Sequence, residues 1–152
     1  MPALRLDDNN VLTEGPSIVQ YLADRVPEKN LAPPAGTMER YRLMEWLNFI
    51  TSELHKSFGA LFNPNISDDW KAFVHGLLGR RLDYVAAQLS GRDYLMGDAF
   101  SVADAYLFVI LNWGQWTGID IGKWPTLKTY HARIAARPAV HAAMVAEKLL
   151  KE

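Results

Sequence analysis

The stretch Gly97-Asp98-Ala99-Phe100-Ser101-Val102-Ala103-Asp104-Ala105-Tyr106-Leu107-Phe108-Val109-Ile110-Leu111 constrains this chain more than any other. Ser101 followed three residues later by Asp104 is a Ser-x-x-acid helix start, in which both side chains accept hydrogen bonds from first-turn amides. The acid also meets the positive end of the helix dipole. Phe100 is placed to pack back on Ala105 as a hydrophobic staple. The residues after Asp104 are apolar or aromatic around the whole helical wheel, which predicts a helix without a solvent face, running through the middle of the domain. It is too short to span a bilayer, which needs about 20 apolar residues.

A chain of 152 residues is long enough to bury one good core without disulfides or metal. Hydrophobic residues at 49% and charged residues at 22% are globular proportions. A formal net charge of -1 gives no attraction to nucleic acid or an anionic membrane, so neither is expected as a partner. With no cysteine in the sequence, it carries no disulfide framework, thiolate metal site or cysteine nucleophile. Met1 to Asp8 lack the basic and apolar regions of a secretory signal, and a cytoplasmic location is expected.

Ala3 to Leu6 alternates in polarity, Asp7-Asp8-Asn9-Asn10 supplies turn formers, and Val11-Leu12 returns, which predicts a β-hairpin. Gly15-Pro16 starts a helix with Pro16 first, whose stripe is Ile18, Val19, Leu22 and Val26. One hairpin and one helix do not cover a sheet, so this opening reads as the end of an α/β unit whose first part is missing. Residues 27–36, rich in Pro and Gly, read as a linker.

Everything beyond is expected to be helical. Thr37 caps a long helix ending near Gly59, with Tyr41, Met44, Leu47, Ile50, Leu54 and Phe58 inward. Ser67 starts another, with Val74, Leu77, Leu78, Leu82, Val85 and Leu89 recurring at threes and fours, and the two should lie antiparallel. Gly118 closes the buried helix, Leu127, Tyr130 and Ile134 line the next, Pro138 breaks that one, and Ala139 to Lys151 form a short last helix.

Several ordered stretches carry a resemblance to a family: Pro2-Ala3-Leu4, Leu12-Thr13-Glu14-Gly15, Ile18 to Ala23, Glu45 to Lys56, Phe100 to Tyr106, and Arg133 to Val140. Together they run through essentially the whole chain, which resembles a bacterial beta-class glutathione transferase lacking the first part of its thioredoxin-like domain. The resemblance implies a mainly α fold: residues 1–26 a remnant of the thioredoxin-like domain, 27–36 the linker, 37–152 the all-helical C-terminal domain. It implies a homodimer that conjugates the glutathione thiol, as co-substrate, to a small apolar electrophile. It also implies that the Cys or Ser meeting the sulfur belongs to the segment before Met1, so that the chain alone is inactive. The alternative is a non-catalytic interaction domain of the same fold.

Site residues follow from the resemblance position by position. Glu14 and Gly15, at a helix start, match the seat of the γ-glutamyl end, where amides and dipole suit a carboxylate and Glu14 suits an ammonium. Met1, before Pro2, matches the residue whose backbone pairs with the cysteinyl part. Asn48, Ser52 and Glu53 match glutathione-contacting positions, and His55 matches the residue facing the sulfur, where an imidazole favours thiolate. Read from the residues alone, Glu14 is an ordinary helix-start acid and His55 a satisfied helix histidine. His75, His131 and His141 share no ligand spacing, so no metal is expected. Trp113 and Trp116 read as core or dimer-edge residues before pocket walls.

Overall fold

The computed structural model describes residues 2–150; Met1, expected at the cysteinyl part of the ligand, lies outside them. The predicted hairpin forms from β1 (Ala3–Arg5) and β2 (Val11–Thr13), antiparallel with Leu4 opposite Leu12. Its turn is closed by the Leu6 amide donating to the Asn10 carbonyl at 2.8 Å and by the Asp8 carboxylate accepting from Asn10. Then α1 (Gly15–Asp24) begins one residue earlier than expected: Glu14 is the cap and Pro16 sits second. Its buried residue is Ala23, while Leu22, expected inward, is 48% exposed. Residues 27–36 hold a single 3₁₀ turn, Pro27–Lys29, and the Leu31 carbonyl accepts from the Val102 amide at 2.9 Å, which fastens this segment to the helical core.

Thr37 caps α2 (Met38–Phe49) through Oγ1, accepting from the Arg40 amide at 3.2 Å. The expected single long helix is broken in register: residues Ile50–His55 form a π-helical turn before α3 (Lys56–Leu61). Leu47, Ile50, Leu54 and Phe58 are buried as expected. Tyr41 and Met44 are not; they are 56% and 38% exposed, and Leu43 and Arg40 take the inward places. Counting back from Leu47 by four and then three gives Leu43 and Arg40, whereas two steps of three drift off the buried face of a 3.6-residue helix.

Arg40 ties the opening unit to the helices. Its guanidinium donates to both Asp24 oxygens, at 2.9 and 2.5 Å, to Gln20 at 3.2 Å and to the Pro33 carbonyl at 2.7 Å. A planar fork fits that set of acceptors, which compensates for taking the cation out of water. Arg40 also holds the Asp24 carboxyl below its usual range, first through the hydrogen bond and then through its charge.

Ser67 caps α4 (Asp68–Gln88), with Asp68 and Asp69 in its first turn. Val74, Leu78, Leu82, Val85 and Leu89 are buried, and Leu77 half-buried. Trp46 meets Tyr84 and Glu53 meets Arg81, so rising numbers on one helix face falling numbers on the other and the two run antiparallel. α5 (Val102–Asn112) lies among α1, α2, the π-turn and α7, followed by α6 (Gly114–Thr117), which Gly118 ends at φ 76°. Leu127, Tyr130 and Ile134 of α7 (Pro125–Ala135) are buried as predicted, and α8 (Pro138–Ala146) closes the described chain.

The acid that starts α5 is fully buried. Asp104 accepts from the Ser101 amide and hydroxyl, both at 2.8 Å, from the Leu95 amide at 2.8 Å and from the Tyr130 hydroxyl at 2.9 Å. The expected capping box is present, and the Ser101 hydroxyl in addition donates its own proton to Asp104. Burial, and then the Asp104 charge, drive the Tyr130 phenol well above its usual range, which keeps it the proton donor of that bond. Phe100, expected to staple onto Ala105, has its ring beneath Arg137 at 3.9 Å.

One expectation about α5 fails in an instructive place. Val109 is 49% exposed, and Ala105 and Tyr106 are only half-buried, so the helix has one open strip. That strip is a cavity wall.

Candidate functional site

Between the start of α1 and the π-turn lies a cavity of about 760 Å³. Pro2, Glu14, Gly15 and Val19 form one side, Ser52, His55 and Lys56 another, and Ala105, Tyr106 and Val109 of α5 its wall. The volume falls in the range of small-molecule sites. Ala105 and Val109 make it apolar on α5, and Glu14 and Lys56 bring one charge of each sign to the lining.

Glu14 owes its position to the backbone. As the residue between β2 and α1 it takes a left-handed conformation, φ 68°, and its side chain makes no capping bond to the helix it precedes. Pro16 at the second position contributes no N–H, and the Glu14 carbonyl accepts from the amides of Ser17 and Ile18 at 3.0 Å. An exposed carboxylate beside the positive end of a helix of ten residues is thus left on the cavity rim with no ion-pair partner among the described residues.

The opposite side depends on the π-turn. Turns of this type carry an extra residue and occur frequently at functional sites. Here it brings Thr51, Ser52, His55 and the following Lys56 to the cavity while Ile50 and Leu54 stay in the core. His55 Nδ1 lies 2.6 Å from the Tyr106 hydroxyl, and its ring meets Trp113 edge-on with centroids 4.7 Å apart. Burial lowers the His55 pKa, which favours the neutral imidazole. The Tyr106 phenol is pushed up, first by burial and also by the charge of Glu14, against a Thr51 hydrogen bond that pulls it down.

Of the residues expected at the ligand, the cavity brings together Glu14, Gly15, Ser52 and His55. Asn48 lies on the exposed side of α2 and is not part of this lining. Glu53, expected at the ligand, points to α4 instead and pairs with Arg81 at 2.6 Å. Ser52 stays in the lining and its hydroxyl donates back to the Glu53 carboxylate at 3.4 Å. Sequence reasoning missed Tyr106 and Lys56; the Lys directly follows His55, and the Tyr is the one phenol inside the apolar run of α5, which was the available signal.

Two of the other histidines are structural. His75 Nε2 meets the Thr117 carbonyl at 3.1 Å, and His131 Nε2 meets Asn112 Oδ1 at 2.7 Å with its ring stacked on Phe108. No group of three His, Cys, Asp or Glu able to hold a metal occurs among the described residues. Nor is any described helix long and apolar enough to cross a membrane.

Fold and cavity together define a class: a helical domain, fronted by a short β-hairpin and helix, with a cavity between a helix-start acid and a histidine. The family profile of the glutathione S-transferase C-terminal domain matches residues 49–138. The chain is 41% identical over 149 residues to glutathione S-transferase GstA of Escherichia coli O157:H7, covering 98% of this chain and 74% of that one. It superposes on a sphingomonad glutathione S-transferase complexed with glutathione at TM-score 0.93 and 47% identity, covering 99% and 75% of the two chains. The bacterial beta class glutathione S-transferase of Sphingomonas chungbukensis gives TM-score 0.94 at 45% identity, with coverage of 99% and 75%. This chain belongs to the glutathione transferase family, on its bacterial, beta-class-like branch.

Proposed function

We propose that the cavity is the glutathione seat of a glutathione transferase, which joins the glutathione sulfur to a small apolar electrophile. The observation that carries the reading is the unpaired Glu14 carboxylate facing His55 and Tyr106 across one cavity at the start of α1. Glutathione offers a carboxylate and an ammonium at its γ-glutamyl end. Helix-start amides and dipole suit the first, and Glu14 suits the second. That orientation sends the thiol toward His55 and Ser52. In the transfer, sulfur gives its electron pair to the electrophilic carbon, a leaving group departs with its own pair, and the thiol proton goes to solvent. The apolar wall at Ala105 and Val109 suits the second substrate.

A homodimer fits the other face. Trp46, Phe49 and Tyr84 make an aromatic cluster between α2 and α4, flanked by Glu39, Arg42, Glu45 and Arg92. Both charge signs around an aromatic centre let a second copy pair with itself across a two-fold axis. A cytoplasmic enzyme accords with this reading.

Titrating the ¹⁵N-labelled chain with glutathione tests the seat. Saturable amide shifts at Gly15, Ser17, Ser52 and His55 are expected. No saturable shift, or shifts confined to residues outside this lining, overturns it.

A further inference from the structure

We propose that Tyr106 is a positioning residue that holds His55 as the Nε2–H tautomer, so that His55 serves the cavity as a hydrogen-bond donor rather than as a base. The short contact, 2.6 Å between Nδ1 and the Tyr106 hydroxyl, joins two groups on different elements, α5 and the π-turn. Its direction follows from proton counting. A neutral imidazole has one N–H, and a phenol has one O–H. Thr51 spends its own proton on the Leu47 carbonyl at 2.8 Å and stands 3.4 Å from the phenol oxygen. The Tyr106 proton therefore has one close acceptor, His55 Nδ1. The second nitrogen then carries the ring proton.

The ring is fixed from more than one direction. Trp113 packs edge-on against it, and the Tyr106 ring does the same with centroids 5.7 Å apart. Such orientation by a partner on one nitrogen sets what the other nitrogen offers. The charged groups around it are Glu14 from the start of α1 and Lys56, the next residue along its own helix; Arg81 of α4 is occupied by Glu53. Glu14 also acts on Tyr106, since its charge disfavours a phenolate and so keeps the phenol a donor. A fixed N–H favours an anionic sulfur over a protonated one. That last consequence rests on the glutathione reading, whereas the tautomer does not.

Long-range ¹H–¹⁵N correlation on the labelled chain reads the tautomer directly. Expected is an unprotonated Nδ1 and a protonated Nε2 in His55 above its titration midpoint. In Tyr106→Phe, which keeps the ring, a tautomer mixture and a raised midpoint are expected, because the lost bond favoured the neutral imidazole. Thr51→Val should leave both unchanged. An Nδ1–H tautomer in the unaltered chain, or a Tyr106→Phe variant with the same tautomer and midpoint, overturns the proposal. Glutathione sulfonate, as an anionic-sulfur probe, should bind Tyr106→Phe about threefold to tenfold more weakly, the scale of one neutral hydrogen bond. Equal binding by both would refute the donation to sulfur. If the probe binds neither protein, the glutathione reading fails while the ring nitrogens still judge Tyr106.

Discussion

Two of the acids that stand at helix starts in this molecule have opposite fates. Asp104, at the start of α5, is wholly buried and takes hydrogen bonds from Ser101, Leu95 and Tyr130. Glu14, at the start of α1, sits on a cavity rim with no capping bond. The protein has used the first to join α5 to α7 and to the loop before it. The second retains its bonding capacity. A helix-start acid is therefore read by what already occupies it, since the dipole argument is the same for both.

This contrast can be broken most forcefully at the buried end. Asp104→Ala removes the acceptor for a buried amide and a buried phenol together with a helix cap, and about 3–5 kcal/mol of stability should be lost in urea unfolding. A loss below about 1 kcal/mol would mean that Asp104 is not the joint described. Gly114→Ala comes next: an added Cβ would collide with the Ile119 carbonyl oxygen, and a cost of about 1–3 kcal/mol is expected by the same measurement. Ser101→Ala should cost about 0.5–2 kcal/mol. At Glu14 the same assay should register almost nothing, with Glu14→Gln within about 0.5 kcal/mol of the unaltered chain, as for an exposed side chain.

The smallest effect is a pH dependence that sharpens the comparison through the histidines. Burial lowers the pKa of both His55 and His131 in the folded chain. On acidification the unfolded chain takes up these protons first, beginning near its ordinary histidine value, while the folded chain resists. Stability should thus fall as the pH drops from about 7 and level off once the folded histidines are also protonated. His131→Asn should remove part of that slope. An unchanged slope in this variant would place the effect elsewhere.

Much of the fold was legible because its signals are local. Caps at Thr37 and Ser67, the apolar run of α5, and the three-and-four spacing of α4 each depend on a few neighbouring residues. The inward face of α2 was read from the wrong members, Tyr41 and Met44, because their apolar character outweighed their angle on the wheel. Arg40 went unread because a buried arginine is recognised by its partners, and Asp24 and Pro33 are remote in sequence. The π-turn left no pattern, since a single added residue is invisible to a 3.6-residue count. Its effect was concentrated at the site, where Thr51, Ser52 and His55 of this one turn all reach the cavity. Glu14, Gly15 and His55 were legible through the resemblance to a family, and Tyr106 was not, because an apolar helix without a polar face hides which side forms a wall.

The most direct measurement is calorimetric titration of glutathione into the unaltered chain and into Glu14→Gln, with both unfolding at the same urea concentration. Saturable binding that weakens about tenfold to a hundredfold in Glu14→Gln is the predicted result, the range of a charge-assisted bond to an ammonium. Equal affinity in the two proteins would contradict it, and the open acid at the start of α1 would then be no more than a surface charge.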